Sequence, residues 1–450
     1  MPAVDLLVTG GRVYFGGTFQ NVSFGVTDGT VSHVVRDASE LNAERTVSLD
    51  GEHVIPGLVD GHVHFREPGY ESKEGIVSGS KAAAAGGVTT VVEMPNTTPP
   101  VLTVEKLAEK RELFEAKSCV DYALFGAVTE ENVGTGDLQA LADAGVTAFK
   151  TFMSTSFGPL LMSDKGILYR AFEEIAETDL PIYIHAEDQE YLDEFSRRAR
   201  NEDGLDAFFA SRPPITETTA IADVIEIVRE TGTETVIAHV TTSRGIEMIQ
   251  QAREAGLPIS AEVTPYHLSV DEQRLGEVGT VGIGTPPVRD PANKRRLCEA
   301  LASGSVQLLG SDHAPHTIKE KRRAPLQAAP GMPQLETALP VLLDAVDRGE
   351  FALSKIVDCY ATAPATIHGL YPKKGTIQVG SHADFVVLDL DKQVTIEAAN
   401  FESKAAYSPF DGRSVTGAPI AVYQRGKQIS ENQRCLAAAG EGTECRRDEL

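Results

Sequence analysis

Short apolar runs, each followed by a helix-like segment, repeat through the middle of the chain. Eight runs predict strands: GLVDGHVHF, VTTVVEMP, DYALFGAV, VTAFKTFM, PIYIHAE, TVIAHVTT, ISAEVTPYHL and VQLLGSDHAP. Segments between them, such as RGIEMIQQAREAG with its closing Gly256, have helical spacing. Eight such units in roughly 300 residues predict a parallel (β/α)8 barrel of the TIM type. A doubly wound open sheet is the alternative, but no G-x-G-x-x-G follows the first strand.

The two ends of the chain have a different pattern. Residues 1–55 and 375–430 carry short alternating runs broken by Gly-Gly and Asp-Gly, which is typical of strands joined by tight turns. We predict that these ends pair into one small β-sandwich domain, with the barrel formed by residues 56–374. Residues 431–450 are expected to form a solvated polar tail.

Polar residues collect where the predicted strands end. In a parallel barrel these ends converge on one mouth, so residues far apart in sequence meet there. The set consists of His62, His64, Asn96, Lys150, His185, His239, Asp312 and His316, and the same strand ends also carry His267 and His313. Four histidines and an aspartate suit one or two divalent metal ions, with zinc the first candidate. A single histidine is more often a surface or hydrogen-bonded core residue, but several of the predicted strand ends contribute to this set.

Lys150 and Arg66 each allow a structural and a chemical interpretation. Lys150 lies in an apolar strand, where a lysine is costly unless it is paired or neutral. It reaches solvent or a carboxylate, or its amine reacts with CO2 to give an anionic carbamate that bridges two metals. Arg66, two residues after His64, binds a substrate carboxylate or forms a salt bridge with a loop. Asn96 as a turn residue and His316 as a solvated loop residue are the corresponding alternatives.

Composition narrows the possible partners and the compartment. The net charge of −24 argues against nucleic acid and anionic membranes as partners, although a small anionic substrate fits if basic residues gather in one cleft. Five scattered cysteines without a C-x-x-C motif argue against a disulfide framework and favour a reducing cytoplasm. The N-terminus lacks the features of a signal peptide. The sequence contains no run of 18 apolar residues, so no membrane span is predicted. The segment IKEKRRAPLQAAP, residues 318–330, is predicted to be a loop near the mouth.

Four motifs identify a family resemblance. DGHVHFREPG, MPNTTPP, AEVTPYHL and SDHAPHT resemble the cyclic-amide amidohydrolases and, within them, the dihydroorotases. The resemblance runs in order from about Val54 to Gly380, and the flanking β-segments resemble the family's accessory domain. It implies reversible closure of N-carbamoyl-L-aspartate to L-dihydroorotate in pyrimidine biosynthesis, through a hydroxide held between two metal ions. It also implies a homo-oligomer, either a dimer or a tetramer.

The resemblance implies a role for each residue of the set. Six positions match the family's ligands for two divalent ions: His62, His64 and Asp312 for the first ion, His185 and His239 for the second, and Lys150, carboxylated, as the bridge. Asp312 also matches the residue that moves a proton to the scissile nitrogen. Arg66, Asn96 and His316 match the groups that hold the carboxylate of dihydroorotate.

Two positions depart from the dihydroorotase pattern. Thr285, in the position that contacts the substrate ring, stands where dihydroorotases often have Asn, and Tyr266 stands where His is common. A small hydroxylic residue at the Thr285 position is more typical of hydantoinases and allantoinases, which are therefore the alternative activities. A third alternative is a non-catalytic scaffold of a pyrimidine-synthesis complex, which would bind no metal.

Overall fold

The computed structural model describes residues 1–155 and 160–447. Its strands, in chain order, are β1 Ala3–Thr9, β2 Arg12–Phe15, β3 Thr18–Asn21, β4 Ser23–Thr27, β5 Thr30–Val35, β6 Asn42–Ser48, β7 His53–Pro56, β8 Leu58–Val63, β9 Val88–Glu93, β10 Asp121–Ala127, β11 Ala148–Phe152, β12 Ile182–His185, β13 Thr235–Ile237, β14 Ile259–Val263, β15 Leu308–Leu309, β16 Phe385–Thr395, β17 Ser414–Gln424, β18 Lys427–Glu431 and β19 Arg434–Cys435. Its α-helices are α1 Ile76–Ala85, α2 Val104–Lys117, α3 Asp137–Asp143, α4 Lys165–Ala176, α5 Gln189–Ala199, α6 Gly204–Ser211, α7 Pro214–Thr231, α8 Ser243–Glu254, α9 Pro265–Ser269, α10 Glu272–Val278, α11 Pro291–Ser303, α12 Ile318–Lys321, α13 Leu335–Asp347, α14 Leu353–Val357 and α15 Ala363–Ile367.

Strands β8 to β15 form one eight-stranded sheet in which each strand pairs in parallel with the next along the chain. The sheet curls so that its two edges meet, with a parallel bridge between Val63 and His313. Every residue of β8 and of β9 is buried. Strands covered on both faces read as continuous apolar runs rather than as alternation, which is the pattern that predicted them. The (β/α)8 barrel is confirmed.

Both ends of the chain build a two-sheet domain beside the barrel. One sheet has the order β5-β4-β1-β6 and the other the order β19-β18-β17-β16-β7-β2-β3. The ends meet in the second sheet, where Ile55 of β7 pairs with Val386 of β16. The rings of Phe24 and Phe385, one from each sheet, lie 5.3 Å apart in the shared core. The β-sandwich is therefore confirmed, and we propose its bounds as residues 1–55 and 375–430.

The C-terminal segment differs from the predicted polar tail. Strand β19 extends the second sheet, and Cys445 N donates to Tyr122 O over 2.7 Å. Glu444 forms a parallel bridge with Tyr122 and pairs with Arg111. The prediction failed because it weighed side-chain polarity, whereas the segment is held largely through its main-chain groups, which take part in hydrogen bonding whatever the side chain. Residues 448–450 of the predicted tail lie outside the described residues.

Two further predictions concern disulfide bonds and membrane-spanning helices. All five cysteines are free, which agrees with the prediction that no disulfide framework exists. Within the part of the chain that the structure describes, no helix combines the length and the apolar character needed to cross a bilayer.

Candidate active site

The His-x-His motif at the end of β8 presents two ring nitrogens to one aspartate. His62 Nδ1 lies 2.7 Å from Glu262 Oε1, and His64 Nδ1 lies 2.7 Å from Asn96 Oδ1. Because both oxygens only accept, each Nδ1 carries the proton and each Nε2 keeps its lone pair. These Nε2 atoms lie 3.5 and 3.2 Å from Asp312 Oδ1. The three side chains therefore converge as a ligand group for one metal ion.

A second pair of histidines faces this group from β12 and β13. His185 Nδ1 and His239 Nε2 lie 3.1 Å apart, and His185 Nε2 donates to Glu187 Oε2 over 2.9 Å. His239 Nδ1 is buried and has no hydrogen-bond partner among the described residues. Two nitrogen ligands of a tetrahedral zinc ion lie about 3.3 Å apart. The 3.1 Å between His185 Nδ1 and His239 Nε2 is close to this value, so the two nitrogens are spaced as ligands of a second ion would be.

Burial keeps the imidazoles of His64, His185 and His239 neutral at physiological pH. Desolvation lowers the pKa of His64 to about 3 and lowers the pKa of His185 below its usual value. The pKa of His239 falls well below the usual range for the same reason. Only the neutral ring has a lone pair for a metal ion, so the low pKa values suit metal binding.

Lys150 lies in the middle of β11, and its charge acts on both His185 and His239. Its side chain is 0 % exposed, and Nζ has no hydrogen-bond partner among the described residues. Burial lowers the pKa of the amine to about 8, although the charges of Glu262 and Asp312 act in the opposite direction. A buried ammonium without a hydrogen bond is costly. The surroundings therefore favour a neutral amine or an amine converted to another group.

Asp312 follows β15 and carries the one carboxylate shared by the first group. Its side chain is 19 % exposed, and it lines the pocket. Burial alone would raise its pKa, but His62 and His64 beside it hold the pKa well below its usual value. The carboxylate is therefore ionised at neutral pH and available to accept a proton or to bind a metal ion.

One pocket brings the predicted substrate residues next to the histidines. Arg66, Asn96 and Thr285 line it together with His62, His64, His185, His239 and Asp312. Phe152, Ala314, Pro330 and Gly331 complete the lining. The pocket therefore combines two metal-ligand groups with one guanidinium, one amide and one hydroxyl.

Arg66 is buried beside the pocket. It is 3 % exposed, its Nε donates to Pro315 O over 3.1 Å, and its Nη2 lies 3.3 Å from His316 Nε2. Burial lowers the pKa of the guanidinium, and the charges of Asp312 and Glu93 oppose that shift. Arginine remains charged in proteins even when its pKa falls. The pocket therefore contains a fixed positive charge within reach of a bound ligand.

His316 supports the pocket from behind. Lys73 Nζ lies 3.1 Å from its Nδ1, and Pro330 O lies 2.8 Å from its Nε2. Because lysine only donates, Nδ1 accepts, and the Nε2 proton is donated to Pro330 O. Burial, with Arg66 and Lys73 nearby, holds the pKa of this ring far below its usual value. His316 is neutral, contacts Arg66 and Pro330, and is absent from the described lining of the pocket.

Three residues of the site have left-handed backbone conformations. The φ angles are 65° at Arg66, 40° at His239 and 49° at Asp312. Such angles are uncommon outside glycine and cost free energy that the surrounding structure must supply. The three residues follow β8, β13 and β15, where these strands continue into loops. The left-handed angles direct their side chains into the mouth.

Two other histidines at strand ends have structural partners. His267 Nδ1 bonds Thr264 Oγ1 over 2.8 Å, while His313 Nδ1 accepts from Gln334 N and Leu335 N. His267 is hydrogen-bonded at both ring nitrogens, since its Nε2 also lies 3.2 Å from Pro286 O. His313 Nε2 lies 3.4 Å from Glu74 Oε2, so this ring too is held by buried neighbours. The sequence therefore places more histidines at the mouth than the two ligand groups use.

Two carboxylates that orient the histidines were not singled out from the sequence. Glu262 lies in β14 and accepts from His62, whereas Glu187 follows His185 by two residues and accepts from Arg212 as well. Such carboxylates fix the tautomer and the orientation of metal-binding rings. A glutamate in a buried strand and the His-x-Glu spacing were the available signals.

A further cluster of potential ligands lies at the opposite end of the barrel. It contains Asp121, His382 and Asp384. Lys374 donates to both aspartates from a fully buried position. The lysine already supplies the positive charge that these carboxylates require, so this cluster is a buried ion-pair network.

Several known proteins are similar to this chain in sequence and in fold. A model of the amidohydrolase family matches residues 53–429. The L-hydantoinase of Paenarthrobacter aurescens is 34% identical over 447 residues, covering 97% of each chain. A dihydroorotase of Halobacterium salinarum is 37% identical over 425 residues, covering 92% of this chain and 97% of that protein. A solved structure of L-hydantoinase (dihydropyrimidinase) from Arthrobacter aurescens has a TM-score of 0.96 at 33% identity, covering 99% of this chain and 100% of that one.

Proposed function

The chain belongs to the amidohydrolase family, and from this premise we propose that it hydrolyses and closes the ring of a small cyclic amide. The proposed pair is L-dihydroorotate and N-carbamoyl-L-aspartate. One observation carries this choice: the buried guanidinium of Arg66 lines the same pocket as both histidine groups. A guanidinium suits bidentate binding of a carboxylate, and dihydroorotate carries a carboxylate on its ring.

The local charge supports an anionic substrate in spite of the acidic chain. Arg66, Lys73 and Lys321 all act on His316 and lower its pKa, so three basic side chains lie near the ring that supports the pocket. Glu320 offsets part of this charge through its salt bridge with Lys73. Basic residues concentrated in one cleft of a chain with net charge −24 attract a small anion locally.

We assign the two histidine groups to a pair of divalent ions, with zinc as the proposed metal. His62, His64 and Asp312 would hold one ion, and His185 and His239 the other. When bound, such ions activate water near neutral pH and polarise a carbonyl group. The neutral rings, the buried nitrogen of His239 without a described partner and the 3.1 Å spacing of the second pair support this assignment.

Lys150, once carboxylated, would supply a further ligand to the two ions. Its neutral amine attacks CO2, a C–N bond forms, one proton leaves to solvent, and the product is an anionic carbamate. The modification removes the cost of an amine that is buried without a described hydrogen-bond partner, and it adds negative charge near the ligand groups. Carboxylate oxygens are suitable ligands for zinc.

Asp312 is the proposed proton carrier of the reaction. Its carboxylate lines the pocket and is ionised, so it accepts the proton of the attacking water. It then gives that proton to the ring nitrogen as the amide C–N bond breaks, and ring closure runs through the same steps in reverse. Arg66 holds the distant carboxylate in place and contributes orientation rather than chemistry. Asn96, Thr285 and, through Arg66, His316 are the proposed supports of the substrate.

A hydantoinase-type activity is the second candidate. Thr285 and Phe152 line the pocket, and a small hydroxyl beside an aromatic ring also suits a neutral ring substituent. The similarity to an L-hydantoinase favours the same activity. In that case, the ligand groups and Asp312 keep their roles, and Arg66 has no substrate carboxylate to bind.

The deciding experiment compares substrates on one preparation of known metal content. Ring opening of L-dihydroorotate is measured beside hydantoin, dihydrouracil and allantoin, with metal content determined by elemental analysis. A strong preference for dihydroorotate supports the proposal. Preference for a ring without a carboxylate refutes the assigned role of Arg66, and protein that binds no metal and turns over none of the substrates supports the scaffold alternative.

A further inference from the structure

Lys321 is a buried lysine whose three hydrogen bonds all go to main-chain carbonyls. It ends the short helix α12 and is 0 % exposed. Its Nζ donates to Ile283 O over 2.7 Å, to Ala329 O over 2.9 Å and to Gly331 O over 2.8 Å. An ammonium has three N–H donors, and here all three are used.

The three carbonyls belong to two segments that line the pocket. One segment, residues 283–285, contributes Thr285, and the other, residues 329–331, contributes Pro330 and Gly331. We call the second one the wall segment. Gly331 N also donates to Ile283 O over 3.0 Å. The ammonium and this one bond therefore join two parts of the pocket lining that are separated by more than forty residues in sequence.

The wall segment is also tied to the residues around Asp312. Ala314 N donates to Met332 O over 3.0 Å, and His316 Nε2 donates to Pro330 O. A shift of the wall segment therefore changes the distance between Thr285 and Pro330, and it changes the support of His316 and Arg66 as well. Lys321 contacts two of the three carbonyls of this segment, so its amine controls the segment directly.

We propose that Lys321 is a positioning residue that fixes the wall segment against residues 283–285 and thereby sets the affinity of the pocket for its ring substrate. The inference rests on the proposed function only in taking this pocket as the substrate site. It does not require that the ring carry a carboxylate.

Lysine is the residue that this position requires. Methionine fills a similar volume but donates no hydrogen bond. Ile283 O would keep its bond from Gly331 N, whereas the carbonyls of Ala329 and Gly331 would lose the donor that Lys321 supplies. Buried carbonyls without partners are strongly avoided in folded proteins. The segments would move to find other donors, and the pocket between them would change shape.

The protonation state of the Lys321 amine also affects how firmly the wall segment is held. Burial lowers the pKa of Lys321 to about 7. The titratable groups around it are His316, which is neutral, and Glu320 on the same helix, which binds Lys73 and Thr317. Lys319, Arg322 and Arg323 flank it along the chain. When the amine loses its proton, only two N–H groups remain for three carbonyls, so substrate affinity should fall as the pH rises through about 7.

The test measures KM and kcat from about pH 6 to 9 for wild type, Lys321→Met and Lys374→Met. The substrate is whichever cyclic amide the wild type hydrolyses fastest, so failure of dihydroorotate as substrate leaves this test intact. Lys374→Met is the matched control, because Lys374 is equally buried but lies at the opposite end of the barrel. Metal content and Tm are measured for every variant.

For Lys321→Met we expect KM to rise on the order of tenfold, with kcat per metal-loaded site changed less than about twofold. Wild-type KM should rise above about pH 7, and this rise should be absent in Lys321→Met. Lys374→Met should lower Tm and leave KM unchanged. A lower kcat with unchanged KM in Lys321→Met would mean a merely structural role. If the variant does not fold, the wild-type profile decides, and a KM that stays flat through pH 7 overturns the proposal.

Discussion

Replacing Arg66 with methionine is expected to weaken the binding of an anionic ring and to leave the binding of a neutral ring unchanged. The guanidinium is 3 % exposed and lines the pocket. Methionine keeps most of the side-chain volume and, like arginine, has a Cβ, so it meets the same backbone strain at φ 65°. The substitution therefore removes mainly the charge and the N–H donors.

The structure sets the size of the expected effect. A hydrogen bond to a charged group contributes about 1.5–3 kcal/mol, and 1.4 kcal/mol corresponds to about a tenfold change in affinity. The pocket is shielded from bulk water at Arg66, so salt and solvent reduce the interaction less than at an exposed pair. KM for dihydroorotate should therefore rise by about 10- to 100-fold, with kcat changed little.

The assay compares two substrates in three proteins. Wild type, Arg66→Met and Arg66→Lys are each assayed with L-dihydroorotate and with hydantoin, which has no carboxylate. Arg66→Lys keeps the charge without the bidentate geometry, so its KM for dihydroorotate should fall between the other two. An equal rise in KM for both substrates would show that Arg66 supports the pocket through Pro315 and not through a substrate carboxylate. An unchanged KM for dihydroorotate would refute the carboxylate assignment.

Three further changes test the rest of the site. Asp312→Asn should lower kcat by about 10²- to 10⁴-fold, the usual size of a general acid–base contribution, with metal still partly bound by elemental analysis; full activity would refute the proton role. Lys150→Met should lower the metal content, and metal-free wild type reloaded without bicarbonate should recover less activity than with it; no bicarbonate effect would exclude the carbamate. Gly331→Ala should destabilise the fold by about 1–3 kcal/mol, measured as a lower Tm, and should raise KM. The reason is that φ is 116° at Gly331 and that an added Cβ would lie 2.5 Å from Ala314 O. Unchanged thermal unfolding would contradict this.

The barrel and its mouth were predictable because they follow from local patterns. The barrel strands are short, largely buried apolar runs, as in β8 and β9, and several of the runs are followed by polar residues. Parallel strands bring those ends together whatever the loops do. For that reason, His62 and Asp312 were placed near each other although 250 positions separate them.

The residues that orient the site were not predictable in the same way. Glu262 bonds His62 from a strand that is not its neighbour in the barrel, so the contact depends on the closed shape and not on sequence spacing. The sequence around Lys321 predicts an environment opposite to the one that the structure shows. Lys321 lies in IKEKRRAPLQAAP, a charged stretch that predicts a loop near the mouth, yet its amine is wholly buried and donates to three carbonyls. Burial of a single residue within a polar segment has no local pattern.

The barrel and the ligand groups cannot decide between the candidate substrates, since relatives named for different activities resemble this chain to a similar degree. The L-hydantoinase is 34% identical and the dihydroorotase 37% identical, each over nearly the whole chain. The groups that we propose to discriminate between substrates lie after the strands, at Arg66 and Thr285, and in the wall segment, to which Lys321 is hydrogen-bonded. A buried guanidinium favours an anionic ring, whereas a small hydroxyl accepts a neutral one. Because removing a buried charge costs more than losing one neutral hydrogen bond, we expect Arg66 to outweigh Thr285 in selecting the substrate.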